Sequence, residues 1–243
     1  MLETVETLET ILIFIVPLWL IFYFFAKKFT TLEDFKTNER YAKIVEDSRN
    51  LFLKYGYKSV TMDDVARELG VSKKTLYQYV SNKAELIEKT LEYDIYMMGA
   101  WVEEDTSPNL NAIDHLLMIS RKVNKDFDEL SPSLIFDLKK YYPDLFKKHI
   151  EVKKQVVYLN MKKNIEWGIQ QGLYRDNLDI DLVAGLYINK MIALHNNDLD
   201  FLENLTFENI FEVMFENHIR GIANKEGTAY FEQQKEKIKN RNN

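Results

Sequence analysis

Three lysines stand at the predicted starts of two helices, where a positive charge is unfavourable. Lys73 and Lys74 lie in the first turn of a helix predicted over 73–80, and Lys83 opens the helix that follows it. The helix dipole repels cations at these positions, at a cost of about 0.3–1 kcal/mol for each lysine. Exposed lysines are common on any protein and this cost is small. Within the motif that surrounds them, however, the three charges indicate an anionic partner such as a phosphate backbone.

That motif, residues 61–83, predicts two short helices joined by a tight turn. The first helix is expected over 62–69, with Thr61 as its N-cap, and Gly70 follows it where a left-handed backbone ends a helix. Ser72 is placed to cap the second helix. Apolar residues at helical spacing supply the contacts between the two helices: Val65, Ala66, Leu69, Val71, Leu76 and Val80. This is the pattern of a helix-turn-helix, whose second helix enters the major groove of DNA.

A more specific set of residues lies between positions 40 and 90. Its members are Ile44, Leu51-Phe52, Gly56-Tyr57, Thr61 to Ala66, Leu69 to Ser72, Thr75 to Tyr79, Asn82-Lys83 and Leu86. This set resembles the N-terminal domain of the TetR/AcrR family of transcriptional regulators, although Val80 replaces the phenylalanine that is usual there. Residues 168–179 resemble a weaker signature of the same family. The resemblance covers most of residues 38–225 and leaves the first 37 unexplained.

The resemblance implies an all-α protein with a three-helix DNA-binding head and a helical body that binds an effector and dimerises. The corresponding domains are a hydrophobic extension over 1–37, the head over 38–84, the body over 85–225 and a polar tail over 226–243. The candidates for contacts with bases are Lys73, Lys74, Thr75 and Gln78. The candidates for contacts with phosphates are Thr61, Ser72, Tyr77, Tyr79 and Lys83.

The expected partners are a palindromic double-stranded DNA operator, a second copy of the chain and an unidentified small-molecule effector. Helices predicted over 180–196 and 207–223 have broad apolar faces and resemble the pair that forms the dimer interface in the family. The body is also rich in aromatic and methionine side chains. Core packing explains any single one of them, but together they are the candidates for an effector pocket: Tyr96, Trp101, Met118, Phe127, Phe136, Tyr158, Met161, Trp167 and Tyr187.

Composition agrees with a helical protein of this class. The chain has 243 residues, no cysteine, and only 8 glycines and 4 prolines, which favours long helices with few turns. The net charge of −6 argues against nucleic acid, but residues 37–84 carry nine basic and six acidic side chains. A basic head on an acidic body therefore fits a DNA-binding protein with a separate sensing domain.

The periodicity of apolar residues predicts helices along the whole chain and no strands. Besides the two helices of the motif, the predicted helices span 38–57, 84–102, 110–128, 132–141, 143–172, 180–196 and 207–223. Gly168 and Gly172 are expected to allow close helix approach and a turn. The tail from Glu226 is polar and is expected to be frayed.

Catalytic and metal chemistry have little support in the sequence. The four histidines, at 115, 149, 195 and 218, lack the spacing of metal ligands. A glycine-rich phosphate loop and a nucleophile elbow are both missing, and without cysteine there is no thiol nucleophile or thiolate site. We therefore expect no enzyme activity, no cofactor and no metal.

The N-terminal extension contains Ile11 to Ala26, sixteen residues without a charge, followed by Lys27 and Lys28. The run is slightly short of the ~20 residues of a spanning helix, and the lysines would place the head in the cytoplasm. One interpretation is a membrane anchor. The other is a start site assigned too far upstream, since the family fold is complete without these residues.

Three functional hypotheses follow. The first is a cytoplasmic ligand-responsive regulator, most simply a repressor. The second is a membrane-tethered DNA-binding sensor anchored by residues 11–26, and the third is a helical ligand-binding protein that no longer binds DNA. Salt-dependent binding to DNA separates the third from the others, and membrane fractionation separates the second from the first.

Overall fold

The computed structural model describes residues 34–104, 110–129, 132–196 and 206–242. Within these ranges the chain is built from α-helices and contains no β-strand. The helices are α1 Glu39–Tyr55, α2 Met62–Glu68, α3 Lys73–Leu76, α4 Lys83–Glu104, α5 Ala112–Glu129, α6 Pro132–Tyr141, α7 Pro143–Gln170, α8 Ile180–Asn196, α9 Phe207–Ile222 and α10 Lys225–Asn242. The chain divides into two compact units, the first ending at Tyr96 and the second beginning at Met97.

Helix α1 braces the first unit with one apolar face. Asn38 caps its start, because the side-chain oxygen accepts a hydrogen bond from the Tyr41 amide at 3.0 Å. Gly56 ends the helix with a φ of 86°, a conformation that glycine adopts at little steric cost. The buried face consists of Tyr41, Ile44, Val45, Ser48, Leu51 and Phe52.

The first unit includes residues that the sequence assigned to the extension before position 38. Residues 34–37 form a helical turn, and Phe35 is only 5% exposed. The Phe35 ring lies 5.4 Å from the ring of Tyr41, 5.3 Å from that of Tyr93 and 5.6 Å from that of Tyr96. Aromatic burial of this kind stabilises a core, so Phe35 is part of the head and not of a linker.

The second unit has its own core, formed where α5, α7, α8, α9 and α10 meet. Its largest fully buried side chains are Phe211, Phe231, Ile113, Ile165 and Ile219. Asn164 is buried among them with its polar atoms paired, since its amide nitrogen donates to the Ala112 carbonyl at 2.9 Å and its oxygen accepts from the Tyr174 hydroxyl at 3.1 Å. A buried polar group of this kind requires such partners.

The end of α7 shows why glycines occupy positions 168 and 172. Gly172 has a φ of 68°, and the Leu173 and Tyr174 amides donate to the Gly168 carbonyl at 2.9 and 3.1 Å. A Cβ atom added at Gly168 would lie 2.1 Å from the Tyr174 ring. The predicted turn is therefore confirmed. The predicted close approach of a helix is not what Gly168 serves, because it makes room for the Tyr174 ring, which folds back onto its own helix.

The C-terminal segment corrects the prediction of a frayed polar tail, because residues 225–242 form α10. Phe231 enters the core and is 2% exposed. The Tyr230 hydroxyl donates to Asp114 at 2.6 Å, and Asn224 caps the helix by accepting from the Gly227 amide at 2.9 Å. The buried Phe231 ring and these hydrogen bonds hold in place a helix whose composition is mostly polar.

No helix in the parts of the chain that the structure describes is both long and apolar enough to cross a membrane. The uncharged run from Ile11 to Ala26 lies outside the described residues.

Candidate nucleic-acid interface

The first helix of the motif, α2, is fixed at its start by a capping box. The Asp64 amide donates to the Thr61 hydroxyl oxygen at 3.2 Å, and the Thr61 amide donates to the Asp64 carboxylate at 3.0 Å. The Thr61 hydroxyl also donates to the Asp64 carboxylate at 2.6 Å, and this bond, together with that from the Thr61 amide, holds the pKa of the Asp64 carboxyl below its usual value. Thr61, a predicted phosphate contact, is therefore the N-cap that the sequence indicated.

The turn between the two helices is short and closed by backbone hydrogen bonds. Gly70 has a φ of 63°, and the Val71 amide donates to the Ala66 carbonyl at 3.0 Å. Ser72 caps α3, because its hydroxyl oxygen accepts from the Thr75 amide at 3.0 Å. The direction of the second helix is thus set by residues whose roles were evident in the sequence.

Helix α3 is shorter than the predicted range 73–80. Regular α-helix ends at Leu76, and the chain continues in tighter turns in which the Gln78 amide donates to the Thr75 carbonyl and the Tyr79 amide to the Leu76 carbonyl. Bonds between residues three apart are those of a 3₁₀ turn. The recognition segment, defined here as residues 73–80, therefore keeps a helical path with a tightened second half.

Buried side chains anchor this recognition segment and leave the predicted contact residues at the surface. Val65, Leu76 and Val80 are almost completely inaccessible to solvent. Lys73, Lys74, Tyr77 and Gln78 are exposed, Thr75 and Tyr79 are half-buried, and Ser72 is exposed. The structure thus gathers the predicted base contacts on one short segment, whose exposed side is polar and basic.

The three lysines at the helix starts differ in their partners. The Lys73 ammonium lies 2.5 Å from a carboxylate oxygen of Asp63, and the Lys83 ammonium donates to the Lys58 carbonyl at 3.3 Å. Lys74 is exposed and has no hydrogen bond or ion pair among the described residues. Asp63 was not predicted as part of the site, and no sequence signal identifies it, since the contact depends on the geometry of the turn.

The start of α4 continues this surface. Asn82 accepts a hydrogen bond from the Glu85 amide at 3.0 Å, and Glu85 accepts one from the Ser81 amide at 2.7 Å. Asn82 therefore caps the helix that Lys83 opens. In a capping box the Glu85 carboxylate would accept a hydrogen bond from the Asn82 amide. Here it accepts the bond from the Ser81 amide instead, and this bond lowers the pKa of the Glu85 carboxyl.

The predicted effector-pocket residues are spread over several environments. Tyr96 packs with Phe35 in the first unit, Trp167 lies against His115, and Phe136 is 58% exposed. The Tyr158 hydroxyl donates to Asp181 at 2.6 Å. Met118 is half-buried, and the side chains of Trp101 and Phe127 lie outside the described part of the structure.

Two of the pocket candidates meet around His218. The Met161 sulfur is 3.2 Å from the Nε2 atom of His218, and the Tyr187 ring centroid is 4.4 Å from that of the imidazole. Burial lowers the pKa of His218 to about 4, so the ring is neutral at physiological pH. An open cavity of about 190 Å³ beside these rings is lined by residues of α8 and α9, including Lys190 and Met214.

Exposed apolar side chains lie on α8 and α9, and one of them, Leu186, also lines this cavity. Leu182, Leu186 and Val213 are 58%, 53% and 60% exposed. Large apolar side chains exposed on two helices that pack together are candidates for an interaction surface. Phe211 and Phe215 of α9 point instead into the core.

A capped helix-turn-helix with a basic exposed segment, followed by a helical body, defines a DNA-binding transcriptional regulator. Comparison with known proteins gives the same class. Residues 44–90 match the family model described as bacterial regulatory proteins, tetR family. This match covers the head of the chain, which is therefore similar to the TetR family of transcriptional regulators.

Individual relatives extend the similarity beyond the head. The uncharacterized HTH-type transcriptional regulator YvaF of Bacillus subtilis is 26% identical over 198 residues, which is 77% of this chain and 98% of YvaF. The biofilm operon icaADBC HTH-type negative transcriptional regulator IcaR of Staphylococcus epidermidis is 34% identical over 50 residues, 21% of this chain and 27% of IcaR.

A solved structure shows the same all-α fold. It is a transcriptional regulator from Cytophaga hutchinsonii, with a TM-score of 0.63 and 15% sequence identity, over 75% of this chain and 98% of that one. The predicted all-α fold class is therefore confirmed. The individual DNA contacts and the effector pocket stay predictions.

Proposed function

We propose that the protein is a ligand-responsive repressor that binds a palindromic operator as a homodimer. The observation that carries this proposal is the recognition segment, which is anchored by Leu76 and Val80 and presents Lys73, Lys74 and Gln78 to solvent. Lysine pairs with guanine and glutamine with adenine in the major groove. These are the side chains expected to read the operator.

The remaining contact residues are assigned to phosphates. Thr61, Ser72 and Lys83 stand at the starts of α2, α3 and α4, where backbone amides and hydroxyls favour an anion. Tyr77 and Tyr79 are proposed to donate hydroxyl hydrogen bonds to the phosphate backbone of the DNA. These contacts position the head and carry no sequence information themselves.

Homodimerisation is proposed through α8 and α9, because a dimer interface there would bury their exposed apolar residues Leu182, Leu186 and Val213. Two heads reach successive major grooves only if about one helical turn of DNA, ~34–36 Å, separates them. An effector bound in the body that favours another separation would release the operator. Repression is the proposed effect on transcription, and the similarity of 50 residues to the negative regulator IcaR supports it.

Fluorescence anisotropy with labelled duplexes at several salt concentrations tests DNA binding. The operator is first enriched from a random library with the wild-type protein. Lys83→Ala should weaken all duplexes alike and reduce the salt slope by about 0.9, the value for one phosphate contact. Lys74→Ala and Gln78→Ala should instead change sequence preference, by about 1–3 kcal/mol for each lost base contact.

The control for these variants is Lys239→Ala, which removes an exposed lysine from α10 and should leave binding unchanged. A wild-type protein whose affinity for every duplex is independent of salt would contradict the proposal.

A second candidate function is a membrane-tethered regulator with its head in the cytoplasm. The supporting observation is the sequence Ile11 to Ala26, uncharged throughout and followed by Lys27 and Lys28. Mass spectrometry of the native protein and membrane fractionation test this candidate. A full-length species in the membrane pellet is expected if the anchor exists, and a species that begins near Lys36 in the supernatant contradicts it.

A further inference from the structure

The recognition segment begins with an ion pair that crosses the turn of the helix-turn-helix. Asp63, in the first turn of α2, and Lys73, the first residue of α3, approach to 2.5 Å. Both side chains remain exposed, at 59% and 58%. The neighbouring Lys74 has no such partner among the described residues, so the pair distinguishes two adjacent lysines of identical chemistry.

Folding stability does not account for the pair. The cap of α2 is already formed by Thr61 and Asp64, whose side chains bond each other's backbone amides. An ion pair this exposed contributes little, because water screens it and both side chains lose freedom. The helix dipole favours the Asp63 carboxylate in the first turn of α2 without any partner, so its pairing with Lys73 has no structural requirement.

We propose that Asp63 is a specificity-determining residue that withholds Lys73 from non-specific phosphate contacts. Non-specific affinity depends on how many cations replace the counterions of DNA. A lysine paired with a carboxylate replaces fewer counterions, and the carboxylate itself is repelled by phosphate. Only a duplex that offers Lys73 a better acceptor, such as the O6 and N7 atoms of guanine, draws the ammonium away from Asp63.

This inference rests on the proposed DNA-contacting surface and makes a separate claim about it. Removal of the Asp63 charge should strengthen non-specific binding more than operator binding. The ratio of the two affinities should therefore fall. A residue that acts only through general charge would strengthen both equally.

The test compares Asp63→Asn with wild type on two probes, the enriched duplex and a 30-bp duplex of scrambled sequence. Asp63→Asn should bind the scrambled duplex about 3–10-fold more tightly and steepen its salt slope by about 0.9, the value for one additional phosphate contact. Binding to the enriched duplex should change by less than the change on the scrambled one. Circular dichroism melting checks that the variant is folded.

Two further variants isolate the pair. Glu68→Gln removes another exposed carboxylate from α2 and should have a clearly smaller effect. In a Lys73→Gln background, Asp63→Asn should lose most of its effect, because the ammonium that it frees is absent.

The inference is overturned if Asp63→Asn leaves scrambled-duplex binding unchanged while wild type binds normally, if Glu68→Gln has the same effect, or if the effect persists without Lys73. In each case the proposed regulator function stands. A wild-type protein that binds neither probe overturns both.

Discussion

Single side chains in the recognition segment divide into those that hold it and those that face outwards. Leu76 and Val80 are buried, and Lys74 and Gln78, four residues apart in sequence, are exposed. This division follows from helical spacing, and the sequence predicted it. The pairing of Lys73 with Asp63 does not follow from spacing, because it requires the turn at Gly70 to bring two helix starts together.

The addition of one methyl group at Gly168 is predicted to destabilise the protein. Gly168→Ala places a Cβ atom 2.1 Å from the Tyr174 ring, so the ring must move out of the core. Overpacking of this kind costs about 1–3 kcal/mol. Thermal or urea unfolding measures the loss.

Gly99→Ala is the matched control, because a Cβ atom there meets nothing within 4 Å and Gly99 lies inside α4. Alanine is the better helix former by about 0.5–1 kcal/mol. The control should therefore be neutral or stabilising, and equal losses in the two variants would contradict the role assigned to Gly168.

His218 predicts how stability depends on pH. Its folded-state pKa is about 4, whereas an imidazole in the unfolded chain titrates near 6.5. Below about pH 6.5 the unfolded state takes up a proton that the folded state does not. The stability that the neutral His218 contributes is therefore fully present above pH 6.5 and is lost as the pH falls towards 4. The full difference corresponds to roughly 3 kcal/mol.

Urea unfolding of wild type and His218→Phe between pH 4 and 7 tests the prediction. The variant should lose less stability as the pH falls, whatever its stability at pH 7. Lys190 also depresses the pKa of this histidine, so Lys190→Gln should give an intermediate slope. Parallel curves for wild type and His218→Phe would show that the imidazole is not shielded in the fold.

At the scale of helices, the start signals in the sequence were reliable. Thr61, Ser72, Asp179 and Thr206 each accept a hydrogen bond from the first turn of the helix that they precede. Such signals are local and need no knowledge of the rest of the fold. The starts of most helices in the structure could therefore be predicted to within about two residues.

Helix α10 shows where that local information ends. Its composition is polar, and its anchoring depends on Phe231 reaching the core and on Gly227 packing against the Leu173 carbonyl. Neither contact can be inferred from residues 225–242 alone, because the partners lie far away in sequence. For the same reason the burial of Phe35 could not be predicted, since its partners Tyr93 and Tyr96 lie far along the sequence.

Gly227→Ala tests how α10 is docked. An added Cβ atom would lie 2.0 Å from the Leu173 carbonyl oxygen, and backbone cannot retreat as a side-chain end can. We expect the docking of α10 to weaken and the unfolding free energy to fall by about 1–3 kcal/mol. Limited proteolysis should then cut the chain near residue 225 faster than in wild type.

Ala229→Ser is the control on the exposed side of the same helix and should leave the cleavage rate unchanged. Resistance of Gly227→Ala equal to that of wild type would mean that the helix is held by other contacts.

On the scale of the whole molecule, charge and apolar surface are separated along the sequence. Residues 37–84 carry three more basic than acidic side chains, whereas the complete chain has a net charge of −6. The acidic remainder repels DNA and leaves the head as the favourable contact region. The exposed apolar residues of α8 and α9 belong to the second unit, whereas the predicted DNA contacts belong to the first.

The dimer proposal leads to the last prediction. Leu186→Glu places a charge on the exposed apolar surface, where the folded monomer tolerates it but an apolar interface does not. Size-exclusion chromatography with light scattering should report a monomer with native helical content, and affinity for the palindromic duplex should fall because each head then binds alone. Leu159→Glu, at an exposed leucine of α7, is the matched control and should remain dimeric. Phe211 is unsuitable for this test, since it is only 1% exposed and a charge there would unfold the core. A folded Leu186→Glu protein that remains dimeric would place the interface elsewhere on the molecule.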